Sequence, residues 1–199
     1  MIARRLLQLF AGLVVYGLAT ALMIRANLGL NPWDVLHQGL DRRSALSFGT
    51  VVILTGLVVL LLWIPLRQRP GFGTISNVIL IGLSADVGLR LIAPSDDLMV
   101  RSAMLVAGIL LLGAATSAYI GAGMGAGPRD GLMTGVAART GWSIPRVRTG
   151  IEIAVLAAGW LLGGQVGVGT ILFALAIGPI IGATLPFCQV APRDETSGG

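Results

Sequence analysis

The chain can be laid over itself: residues 5–92 align with 101–188 at a constant offset of 96, without a gap. Gly12 falls on Gly108, Gly17 on Gly113, Gly29 on Gly125, Pro32 on Pro128 and Asp34 on Asp130. The register persists through Gly39 and Gly135, Arg43 and Arg139, Ser47 and Ser143, and Gly82 and Gly178. Near its end Gly71-Phe-Gly-Thr-Ile75 lies over Gly167-Val-Gly-Thr-Ile171. Chance identities would drift out of register over such a length. A duplication restricts the chain to two copies of one folding unit, and duplicated membrane units often set a binding site where the copies meet. Residues 1–96 read as the first repeat, 97–190 as the second and 191–199 as a polar, disordered tail.

The repeated unit is apolar. Only 12% of residues are charged and the mean hydropathy is +0.86, whereas roughly a quarter of a soluble domain is charged. Runs at 6–24, 51–66, 75–93, 102–122, 151–162 with its flanks, and 169–190 approach the ~20 residues that cross a hydrocarbon layer of ~30 Å. Backbone groups in lipid must pair within protein, so these runs are expected to be helices. Strand alternation is absent, which argues against a barrel. The expected fold is all-α and polytopic.

The first run imitates a signal peptide, with Arg4 and Arg5 before it and Ala19-Thr-Ala21 as a mock cleavage site. The same element recurs at 101–122 in mid-chain, so it is expected to be a retained helix. All fourteen basic residues are Arg and the net charge is +5. Most of them flank apolar runs, which points to membrane orientation rather than nucleic acid. The single cysteine, Cys188, reads as a packing residue.

Each copy divides into three long helices and one short one. The long helices are expected at about 5–25, 47–66 and 74–92, and at 101–121, 143–163 and 170–189. The short ones are expected at 32–43 and 128–139. Asn31-Pro-Trp-Asp34 places Asn at an N-cap, Pro at the first helical position and Asp at the third, where its charge meets exposed amides. Gly127-Pro-Arg-Asp130 repeats the pattern. Ser47 and Ser143 are expected to cap the third element of each copy, and Thr74 and Thr170 the fourth. A dozen helical residues reach only ~18 Å, which favours a half-helix or re-entrant segment. If the short helices do not cross, the copies are inverted; if they do, the copies are parallel. The paired arginines lean to the second arrangement and helix length to the first. Both place the two termini in the cytoplasm.

Asn27-Leu-Gly-Leu-Asn-Pro-Trp-Asp34, Gly125-Ala-Gly-Pro-Arg-Asp-Gly-Leu-Met133, Gly71-Phe-Gly-Thr74, Arg148-Thr-Gly-Ile-Glu152 and Gly159-Trp-Leu-Leu-Gly-Gly164 carry a resemblance. The chain resembles the bacterial YczE-type membrane proteins of the wider YitT/YczE family over nearly all its length. The resemblance implies a bacterial inner-membrane protein built on a duplicated unit. It lends no substrate and no catalytic residues.

An ionised side chain at mid-bilayer costs ~2.5–3.5 kcal/mol even on lenient insertion scales, so the intramembrane polar residues must face protein or water. Asp34 and Asp130 are the repeated acids, and with Asn31 and Arg129 they form the candidate substrate site. The plainer reading is that each Asp stabilises its own helix start, and that Arg129, which replaces Trp33, makes an internal ion pair. His37, Asp86, Arg148 and Glu152 are candidate proton-relay or ion-pair residues; Arg148 and Glu152 share a helix face at i, i+4, and Asp86 has Arg90 one turn on. One His and one Cys give no metal set, and no cofactor is expected. A nucleophile constellation is likewise lacking, so an enzyme is not expected.

Two functions remain. A small secondary transporter or permease-like protein, alone or as a homo-oligomer in the bilayer, would carry a small molecule or ion by alternating access. The alternative is a non-transporting accessory or scaffold protein that binds a membrane protein or a lipid.

Overall fold

A computed structural model describes residues 2–190, which form eight α-helices. In order they are α1 (Ile2–Ala26), α2 (Pro32–Asp41), α3 (Phe48–Leu66), α4 (Phe72–Leu91), α5 (Leu98–Gly121), α6 (Pro128–Thr140), α7 (Ile144–Leu161) and α8 (Val168–Cys188). The tail expected at 191–199 lies outside the described residues. Five helices, α1, α3, α4, α5 and α8, are long and apolar enough to cross a membrane. The sixth expected span, α7, is not among them: Arg146, Arg148 and Glu152 dilute its first half. The short helices α2 and α6 have 10 and 13 residues.

Capping chemistry explains where the helices begin. Asn31 Oδ1 accepts from the Asp34 amide at 3.0 Å, with Pro32 at the first helical position. Ser47 Oγ accepts from the Thr50 amide at 3.2 Å at the start of α3. Ser143 holds the equivalent place before α7 but makes no side-chain cap bond. The capping role expected of Thr74 and Thr170 is corrected. Gly71 and Gly167 occupy the N-caps, and the threonines are third in their helices. Their hydroxyls reach back to accept from the Gly71 amide at 3.1 Å and the Gly167 amide at 3.3 Å.

Small residues set the packing. α1 and α5 cross in opposite directions at the centre: Gly12 sits against Ala115, Ala118 and Tyr119, while Gly108 sits against Ala19 and Met23. α1 runs parallel to α4, with Gly17 on Ser84 and Ala85 and Gly88 on Leu18 and Ala21. α5 runs parallel to α8, with Gly113 on Ile177 and Ile180 and Gly121 on Cys188. The short helices cross over: α2 packs on α7, where Gly159 lies against the Leu36 backbone, and α6 packs on α3, where Gly131 makes room for the Trp63 ring. Gln8 Nε2 donates to the Ala118 carbonyl at 2.8 Å and the Cys188 carbonyl at 2.6 Å. The start of α1 and the ends of α5 and α8 therefore share one face.

The Gly-x-Gly-Thr motifs fasten each half to the other. The Gly73 amide donates to the Met124 carbonyl at 2.8 Å, and Thr74 Oγ1 donates to the Ala126 carbonyl at 2.7 Å. On the other side the Gly169 amide donates to the Leu28 carbonyl at 2.8 Å. The receiving loops turn at Gly29 (φ 116°) and Gly125 (φ 130°). A side chain there would be strained and would meet Thr170 or Thr74 within 3 Å.

One contact is not shared. α3 and α4 pack closely where Gly49 and Gly82 meet: a Cβ on Gly49 would lie 2.1 Å from the Gly82 carbonyl oxygen. α7 and α8 make no comparable contact among the described residues. Gly178, the counterpart of Gly82, has open space beside it, as does Gly182.

Candidate functional site

The starts of α2 and α6 meet at a cavity of about 250 Å³ in the middle of the bundle. Asn31 and Pro32 reach it from one half, Gly127 and Pro128 from the other, and α1, α3, α4, α5, α7 and α8 complete the wall. Two helix starts thus converge on one shared space, each bringing a carboxylate into its first turn.

The two carboxylates differ sharply in surroundings. Asp34 is 2% exposed and fully engaged. Its Oδ2 accepts from Asn31 Nδ2 at 2.5 Å, and its Oδ1 lies 3.2 Å from His37 Nδ1 and 3.6 Å from Arg129 Nη2. His37, 1% exposed, also packs edge-on against Phe48 at 5.9 Å. Asp130 has lost these partners, because Gly127 stands where Asn31 would and Met133 where His37 would. Its side-chain hydrogen bond is from Tyr119, whose hydroxyl lies 3.3 Å from Oδ2. Asp130 is exposed to the cavity and makes no direct ion pair among the described residues.

Arg129 links the halves. Its guanidinium pairs with Asp34 and lies over the Trp33 ring, 5.1 Å from the centroid. Both contacts reach from the second half of the chain into the first, so the ion pair expected of Arg129 forms between α6 and α2. Of the two first-turn carboxylates, Asp34 holds the guanidinium directly and Asp130 makes no such contact. Its aromatic neighbours are Tyr119 and Tyr16, stacked edge-on at 6.3 Å.

Arg148 and Glu152 form the expected i, i+4 pair at 2.8 Å on α7 and line the cavity at its rim. Asp86 lies elsewhere. It accepts from Ser47 Oγ at 2.5 Å and from the Gly49 amide at 2.7 Å, so it holds the start of α3 against α4. Of the eight residues singled out from sequence, Asn31, His37, Arg129, Asp130, Arg148 and Glu152 line the cavity, Asp34 sits directly behind it and Asp86 stands apart.

Tyr16 and Tyr119 join the site without a motif to announce them. The chain has two tyrosines, both within the long apolar runs, and that placement is the signal available in the sequence. Among the described residues no group of three or more His, Cys, Asp or Glu side chains is placed to hold a metal. A second hollow of about 290 Å³ lies beside Arg25, Arg42 and Arg101. Those guanidinium groups donate to the carbonyls of Leu89, Gly163 and Ala26, so they serve as helix-end ties.

Five apolar spans around a polar-centred cavity define a polytopic helical membrane protein. The chain belongs to a family of unknown function (DUF6198), whose model matches residues 3–186. It is 42% identical over 173 residues to an uncharacterized protein of Haemophilus influenzae, covering 87% of this chain and 79% of that one. It is 37% identical over 180 residues to the uncharacterized membrane protein YczE of Bacillus subtilis, covering 89% and 83%. Similarity to the uncharacterized protein YyaS of Bacillus subtilis is 22% over 182 residues, covering 89% and 90%. The resemblance to YczE-type proteins is thereby borne out. No solved structure matches.

Proposed function

We propose that the protein is a small secondary transporter of the bacterial inner membrane, with its substrate site in the central cavity and Asp130 as the carboxylate that meets the substrate or coupling ion. The observation that carries this reading is the state of Asp130: it opens on the cavity between two helix starts with Tyr119 as its side-chain hydrogen-bond partner and no direct ion pair among the described residues, while Arg129 is engaged by Asp34. An unpaired carboxylate among apolar helices is expensive to keep, and a transported cation or proton would neutralise it. Asp34 is the supporting member, fixing Arg129 and through it the spacing of the two half-helices.

The arrangement assigned to the chain is two inverted repeats, each with three crossings and one half-helix. Antiparallel α1 and α5 support it, as do short helices that end beside the same ends of α7 and α3 to which Arg43 and Arg139 donate. The face shared by both chain ends is assigned to the cytoplasm, in keeping with Arg4, Arg5, Arg67, Arg69, Arg139, Arg146 and Arg148 on that side. The reading involves no catalysis and no cofactor.

Flux in proteoliposomes tests it. Imposed gradients of small cations should drive proton or cation movement in wild type and not in Asp130→Asn. Equal flux from both would remove Asp130 from the mechanism. A stable protein partner in mild detergent, together with absence of ligand-dependent stabilisation, would favour the accessory role instead.

A further inference from the structure

The cavity has one sealed wall and one parted wall. Across the pseudo-twofold relation Val52 and Gly56 on α3 match Arg148 and Glu152 on α7, and Asn77 and Ile81 on α4 match Phe173 and Ile177 on α8. All eight line the cavity. Behind the first set, α3 and α4 are clamped by the Gly49–Gly82 approach and by Asp86 bonding to Ser47 and Gly49. Behind the second set nothing equivalent exists among the described residues. Gly182 replaces Asp86, Pro145 replaces Gly49, and Gly178 and Gly182 face open space. α7 buries only Val147 and Gly159, and α8 only Gly169, Thr170 and Ile177.

From this, resting on the transporter reading above, we infer that the seam between α7 and α8 is a lateral portal, and that the substrate class is lipophilic cations entering from the bilayer. The portal is framed by apolar α8 side chains on one side and by the Arg148–Glu152 pair on the other. That pair is neutral overall and half-exposed, with side-chain exposures of 52% and 32%, so it raises little barrier to a cation. Inside, Asp130 supplies the complementary charge, and Tyr119 and Tyr16 supply aromatic faces of the kind that bind organic cations. A water-borne cation would have no use for a gap facing lipid, whereas an amphiphile dissolved in the membrane meets the gap first. Committing one seam to entry also explains why the clamp is built in one half only.

The test uses the full chain in lipid nanodiscs with radiolabelled tetraphenylphosphonium as the probe. Saturable binding is expected, weakened at least tenfold in Asp130→Asn. Gly178→Trp, which fills open space, should slow association at least tenfold while changing equilibrium affinity less than threefold. Gly178→Leu should give an intermediate rate if the larger variant folds poorly. Three results would overturn the portal. One is lack of saturable binding. Another is association unchanged in both Gly178 variants while tetramethylammonium competes at Asp130, in which case the cavity site stands and lateral entry falls. The third is efficient disulfide cross-linking between copies through Gly178→Cys in a Cys188→Ser background, which would assign the seam to a second copy of the chain.

Discussion

The Arg129 guanidinium lies 3.6 Å from the Asp34 carboxylate, and this pair joins the start of α6 to the start of α2. One half supplies the charge and the other the counter-charge, so neither half is electrically complete. Pairing at a partly buried site is robust only while both members are present. Removing one leaves the other desolvated and alone, a loss of about 3 kcal/mol or more.

Arg129→Leu should therefore destabilise the protein by about 3 kcal/mol, and Asp34→Asn should cost less because the Arg129 left behind is partly exposed and keeps the Trp33 ring beneath it. The double variant should recover part of the loss, giving a coupling of about 1–3 kcal/mol in a denaturant cycle in detergent. Additive losses would mean that the two groups do not interact in the folded state.

The repeated acids should separate by assay. Asp130→Asn is expected not to lower stability, because the residue is exposed to the cavity and makes no direct ion pair among the described residues. It should abolish flux. Asp34→Asn should lower stability while retaining measurable flux after correction for folded protein. Should parallel melts and uptake assays show Asp34 needed for flux and Asp130 for stability, the two acids would exchange roles.

Glycines that match in sequence should not match in tolerance. Gly49→Ala or Gly82→Ala should destabilise by about 1–3 kcal/mol, since the added methyl meets backbone at 2.1 or 2.5 Å. Gly178→Ala and Gly182→Ala should be nearly silent, within about 0.5 kcal/mol. Equal losses at Gly82 and Gly178, measured by urea unfolding in micelles, would close the seam drawn between α7 and α8.

Thr74→Val tests the fastening between halves. The Thr74 side chain is fully buried, accepts from Gly71 and donates to the Ala126 carbonyl. Losing both bonds should cost about 1–3 kcal/mol, and Thr74→Ser should restore most of it. A Val variant as stable as wild type would show the hydroxyl to be dispensable.

Much of this fold was legible because helix starts are written locally. Asn31-Pro32 and Ser47 cap as their chemistry requires, and the short helices begin where the capping pattern puts them. Thr74 and Thr170 misled by three residues, because a third-position hydroxyl that reaches back is indistinguishable from a cap in a glycine-rich segment. Asp86 misled through its neighbour: Arg90 is one turn away in sequence, but the residue bonds to α3, thirty-nine positions from Ser47. The unequal fates of Asp34 and Asp130 depended on Tyr119, eleven residues upstream of Asp130 on another helix. Helix pairing decides such contacts, and local pattern does not encode it.

The inverted arrangement proposed for the chain would bring the starts of α2 and α6 to the shared cavity from opposite sides of the membrane. Ser44 and Thr140 are equivalent residues of the two halves, both exposed, at the ends of the two half-helices. Cysteines placed singly at these positions in a Cys188→Ser background can be labelled with a membrane-impermeant maleimide in intact cells and in inverted vesicles. Labelling of the two from opposite sides of the membrane is the predicted result. Labelling of both from the same side would contradict the inverted arrangement.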